Sequence, residues 1–138
     1  MSRRVLSALV GLACAASFAA GCGGQQEKPY TAAGTAPCLR GKGFTKVTTN
    51  PSKVGFIAGF ADNGGLRAVT RDDNVLTIAF TGSESDVAGT KRAFTRKAAP
   101  QYKHHMQDIM ESQRNAVLVW TVTPSKQQLD DVLACLDS

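Results

Sequence analysis

The sequence predicts a two-layer α+β domain. Three observations carry the prediction. Helical and strand patterns interleave along the chain, and the helical segments each carry one apolar stripe. Once an N-terminal leader and the polar segment behind it are set aside, about 100 residues remain from Cys38 to Ser138, the size of one ordinary domain.

Gly23 to Pro37 is rich in Gly, Gln, Ala, Thr and Pro, with Tyr30 its one bulky side chain. Such a composition buries too little apolar surface to offset the entropy of ordering it, so residues 22–37 are expected to form a flexible tether. The globular part is then residues 38–138, one domain without internal repeats. Thr35 to Arg40 reads as a turn of helix carrying Cys38 and Leu39. Phe44 to Thr48 alternates like a strand. Pro51 and Ser52 open a weak helix with Val54, Ile57, Ala58 and Ala61 on one face, and Asn63, Gly64 and Gly65 stop it. Gly55 and Gly59 each cost that helix up to about 1 kcal/mol relative to Ala.

Leu66 to Thr70 and Val75 to Thr81 form the clearest hairpin, turned by Arg71, Asp72, Asp73 and Asn74. On its second strand Leu76, Ile78 and Phe80 share one face. Ser83 to Asp86 resembles a capping box, opening a helix with Val87, Phe94 and Ala98 inward. Ala99 and Pro100 interrupt it, and a second helical segment from Gln101 to about Arg114 should bury Met106, Ile109 and Met110. Ala116 to Val122 is apolar on both faces, as a central strand would be. Thr123 and Pro124 signal a helix start, followed by a stripe of Leu129, Val132, Leu133 and Leu136. Within this order lies β-α-β-β-α-β, the split arrangement of ferredoxin-like domains, here closed by a C-terminal helix. The likeness is one of topology and implies no ferredoxin chemistry.

The start of the chain has a separate logic. Arg3 and Arg4 precede a run from Val5 to Ala20 that is almost wholly small or apolar. A membrane-spanning helix needs about 20 apolar residues, and this run is shorter and contains Ser7, Gly11 and Ser17. It suffices for the core of a secretory signal. Ala19, Ala20, Gly21 and Cys22 resemble the lipobox of bacterial lipoproteins, although Ala19 stands where that pattern usually has Leu, Val or Ile. The resemblance implies a signal peptide over residues 1–21, cleavage behind Gly21 and acylation of Cys22, leaving the protein on the outer face of the cell membrane. Cleavage at neighbouring small residues, or retention of the segment as an anchor, are the alternatives. The Ala-rich leader and the junction from Gly21 to Gly24 resemble lipoproteins of high-GC Gram-positive bacteria. Arg3 and Arg4 partly resemble a twin-arginine signal, but two arginines are common in ordinary signals.

Cysteine parity agrees with acylation. Of four cysteines, Cys14 leaves with the leader and Cys22 takes the lipid. Cys38 and Cys135 remain, and in an oxidising compartment a remainder of two reads as one bridge.

Chemistry is sparse by comparison. Gly82 to Ser85 lacks the second glycine of a hydrolase elbow, and Gly41, Lys42 and Gly43 start a phosphate loop that nothing completes. His104 and Asp108 have the spacing to share a metal, but a metal site takes three or four protein ligands, and a solvated helix face is the simpler reading. No metal or cofactor is expected. Lys91, Arg92, Arg96, Lys97 and Lys103 form a basic stretch with no acid between Val87 and Gln107. A solvated surface accounts for it most simply; contact with an anionic leaflet or envelope polymer is the sharper reading. Losing Arg3 and Arg4 leaves 14 basic against 11 acidic side chains, a net +3, which with export argues against nucleic acid. Trp120, Phe56 and Phe60 read as packing residues.

The expected function is a membrane-tethered extracytoplasmic lipoprotein, a non-catalytic binding or structural module of the bacterial envelope. Its partners would be the membrane, through the lipid, and an anionic envelope polymer or envelope protein. A small-molecule or metal-binding accessory lipoprotein beside a transporter is the second expectation. A pocket lined by Trp120, or by His104 and Asp108, would favour it. A small hydrolase ranks last, because no nucleophile and base can be paired.

Overall fold

A computed structural model describes residues 27–138; the leader, Cys22 and the first part of the expected tether lie outside the described residues. The elements in order are α1 (Ala32–Gly41), β1 (Thr45–Thr48), α2 (Phe56–Gly59), β2 (Gly65–Val69), β3 (Val75–Phe80), a 3-10 turn (Glu84–Asp86), α3 (Val87–Lys97), α4 (Pro100–Lys103), α5 (Met106–Ile109), β4 (Met110–Gln113), β5 (Ala116–Trp120) and α6 (Lys126–Leu136). The fold class is mixed α+β. Its five strands make one sheet in the order β1-β2-β3-β5-β4, with every neighbouring pair antiparallel.

That order is not the split ferredoxin-like one, which interleaves strands through parallel crossovers. A parallel crossover needs a dozen or more residues, usually a full helix. The expected helix from Pro51 provides only the four residues of α2, because Gly55 at its start sits at φ +91, outside the helical region. The segment folds back, and β2 pairs with β1 directly.

The C-terminal half holds a second correction. The expected helix over Gln101 to Arg114 is instead α4, α5 and then a strand, β4. Arg114 takes a left-handed conformation (φ +48) and, with Asn115, turns the chain in two residues so that Gln113 pairs with Ala116 and Met110 with Val119. Met106, Ile109 and Met110 are nonetheless buried, as the apolar spacing required.

Strand alternation divides the core. Leu66, Leu76, Ile78 and Leu118 belong to the main cluster with Leu39 of α1 and with Val132 and Leu136 of α6. Next to Ile78 on β3, Ala79 points the other way and packs with Val54 and Ala58, and Phe94 of α3 lies against them. Helices therefore cover both faces of the sheet, where a single covered face was expected. The second face is thinly covered, for no residue of α3 is fully buried. Close approach there depends on Gly65, where a Cβ would collide with the Ala58 carbonyl.

Two helix starts differ from expectation. Ser83 makes no side-chain cap; its hydroxyl meets Asp86 Oδ2 at 2.6 Å. The capping box is at Ser125, whose Oγ accepts from Gln128 N–H (3.2 Å) while Gln128 Oε1 accepts from Ser125 N–H (2.9 Å). α1 is longer than the expected turn and is capped by Thr31, so Tyr30, Ala32, Thr35 and Ala36 are buried. Residues from Tyr30 onward thus belong to the packed body, not to a tether.

Candidate functional site

Three features of the body could carry function: the bridge between its ends, a polar latch over its first residues, and the thinly covered face of the sheet. The bridge joins Cys38 to Cys135, 97 positions apart, with Cα atoms 5.4 Å from each other. It ties α1 to α6, and Lys42 adds an ion pair with Asp131 at 3.3 Å. The Asp131 carboxyl is held below its ordinary range, first by a hydrogen bond from Gln127 and then by Lys42.

The latch is built on Asn115, which is buried at the β4–β5 turn. Its Oδ1 accepts from Tyr30 N–H (2.8 Å), and its Nδ2 donates to the carbonyls of Tyr30 (3.0 Å) and Thr81 (2.9 Å). The chain arriving from the N-terminal side is thereby paired as though it met a strand edge. Arg114 covers it, with its guanidinium 4.3 Å above the Tyr30 ring centre. It also donates to Lys28 O at 2.8 Å and pairs with Glu27 at 3.2 Å. The Tyr30 hydroxyl donates to Asp137 at 2.5 Å. Burial, and then this bond, push the phenol above its ordinary value, with Arg114 acting the other way. Sequence patterns missed both residues: Asn115 reads as a helix stop and Tyr30 as part of a tether.

On the second face, α2 and α3 stand over β3 and β5. Phe56 and Phe60 are the packing partners that their spacing suggested, yet they lie outside the core, 76% and 78% exposed. They pack on each other, ring centres 4.9 Å apart. Beside them lies a cleft of about 410 Å³ whose lining includes Val54, Phe56, Thr77, Phe94 and Lys97. Past Phe94 a smaller cleft of about 240 Å³ is lined by Ala98, Tyr102, Met106, Ile109, Val119 and Trp120. Trp120 is buried as expected, but among the described residues its Nε1 finds no hydrogen-bond partner.

The basic residues do not form one row. Helical geometry turns Arg92 and Arg96 to the side opposite the inward Phe94 and Ala98. Lys97 stands beside Phe56, whereas Lys91 and Lys103 share a polar cleft with His104 and Glu111. The histidine that faces Asp108 is His105 (3.7 Å), not His104. Among the described residues no three His, Cys, Asp or Glu side chains converge as a metal site would require. Among them too, no helix is long and apolar enough to cross a membrane. Ser83, with Ser85 and Asp86 as its partners, is not bonded to a histidine. Comparison with known families, curated proteins and solved structures finds no match to this chain.

Proposed function

We propose that the protein is a lipid-anchored, extracytoplasmic module of the bacterial envelope that binds or braces and does not catalyse. The observation that carries this reading is the Cys38–Cys135 bridge in a chain whose leader runs up to Cys22. Bridges of this kind persist in oxidising compartments, and once it forms Cys22 is the one cysteine after the leader left for a lipid. The latch fits the same role. It holds Lys28 and Tyr30 on the body, six and eight positions after Cys22, so the body would stay close to the anchor. Fractionation tests the reading: Cys22→Ser should release the protein from membranes or leave its leader uncleaved. A Cys22→Ser chain that is processed and stays membrane-bound like the parent would sink it.

A second reading, an accessory protein that binds a small apolar molecule beside a transporter, is favoured by the cleft at Trp120. Native mass spectrometry of the protein from its own host separates the two. A stoichiometric co-purifying molecule lost on Met106→Trp, which fills the cleft, would select the second reading.

A further inference from the structure

We propose that the Phe56–Phe60 pair is a membrane-docking knob that enters the headgroup region of an anionic phospholipid surface, with Lys53, Arg92, Arg96 and Lys97 meeting the phosphates around it. The inference rests on the lipid-anchored reading and gives it a contact surface.

Exposure is the first support. Both rings stand more than three-quarters in water, on a helix of one turn, and shield little except each other. Phenylalanine rings on the apolar side of a surface helix leave water by entering the boundary between headgroups and acyl chains.

Charge is the second. The segment from Asn50 to Ala61 has no acidic residue, and Lys53 lies three positions before Phe56. Lys97 borders the same cleft as Phe56, and Arg92 and Arg96 lie on the side of α3 opposite its sheet-facing residues. None of these four forms a salt bridge among the described residues. The nearest acid in sequence, Asp62, has its carboxylate against Gly82. Each such cation near an anionic leaflet favours contact.

Reach is the third. Six positions run from Cys22 to Lys28, whose carbonyl Arg114 holds at 2.8 Å. Fully extended they span at most about 22 Å. Where the chain joins the body, Ala32 N–H donates to Asn63 O (3.1 Å), three positions beyond Phe60. A lipid on Cys22 therefore holds a bilayer close to the end of the sheet where α2 stands.

The test reconstitutes the mature chain in phosphatidylcholine vesicles and in an equal mixture of phosphatidylcholine and phosphatidylglycerol. Hydrogen exchange is read over residues 53–61 and the acyl state of Cys22 by intact mass. Exchange in that segment should slow about tenfold or more in the mixed vesicles relative to the neutral ones. Phe56→Ser/Phe60→Ser should abolish the slowing and Lys53→Glu/Lys97→Glu reduce it, with exchange in β3 and β5 unchanged as the check on folding. An acylated, vesicle-bound chain whose residues 53–61 exchange as fast as in lipid-free detergent overturns the docking and leaves the anchor standing. If the mass shows no acyl group, the anchor fails on its own, and cosedimentation with the mixed vesicles decides: dependence on Phe56 and Phe60 supports the docking, and no sedimentation overturns it. Protection that needs no lipid and grows with protein concentration would assign the knob to a second copy of the chain, which also overturns it.

Discussion

At the scale of single residues, two buried asparagines organise the sheet ends. Asn74 in the β2–β3 turn accepts from Val122 N–H (3.0 Å) and donates to Val122 O (2.8 Å), pinning the chain after β5. Asn115 does the same for Tyr30 at the β4–β5 turn. Neither role shows in sequence, because an asparagine between apolar runs reads as a turn former whatever its amide meets across 48 or 85 positions. Asn115→Ala leaves the backbone N–H and C=O of Tyr30 short of partners, while the Thr81 carbonyl keeps the Asn63 amide at 2.7 Å, at a cost of about 2–3 kcal/mol. Urea unfolding should show that loss, and limited proteolysis should show cleavage near Lys28 that the parent resists. Tyr30 carries a pH dependence of stated sign. Its folded pKa is raised by burial and by Asp137, so its contribution is complete below the ordinary phenol value of about 10 and is lost as pH rises through the folded value. Tyr30→Phe should cost about 1 kcal/mol near neutral pH. It should also flatten the fall in stability expected on the alkaline side, whereas an unchanged alkaline limb would contradict the assignment.

Elements were legible where one pattern decided them. The alternation of Leu76, Ile78 and Phe80 gave β3 its face, the apolar run from Ala116 gave β5, and the stripe through Val132 and Leu136 gave α6. β4 was not legible, since Met110, Glu111, Ser112 and Gln113 include no β-branched residue and only pairing with β5 makes them a strand. The expected four-strand topology failed with it, and with α2, whose glycines leave one turn of helix and free Phe56 and Phe60 from the core. Of the candidate site, the bridge was read from sequence, but the latch was not, because the composition that suggests a tether hides the burial of Tyr30 and Ala36. The bridge closes a loop of 97 positions between α1 and α6. Cys38→Ser/Cys135→Ser should therefore lower stability by about 2–5 kcal/mol, chiefly by freeing the unfolded chain. An unchanged urea midpoint for the double variant would refute a stabilising role. Ser125→Ala removes the capping box of α6 and should cost about 1 kcal/mol in the same assay.

At the scale of the whole molecule, the two faces of the sheet divide the work. One holds α1, α6 and the bridge over the main core; the other holds α2 and α3 over clefts and exposed rings. In the proposed account the first face supplies stability and the second meets the surroundings, with the latch setting the body on its short leash. The account depends on Cys22, so the chemistry of the mature N-terminus tests it most directly. Protein extracted from the membranes of its own host should yield an N-terminal peptide that begins at Cys22 and has the mass of that peptide plus a thioether-linked diacylglyceryl group. An N-terminal peptide carrying Cys22 without a lipid, or one that still begins in the leader, would contradict it.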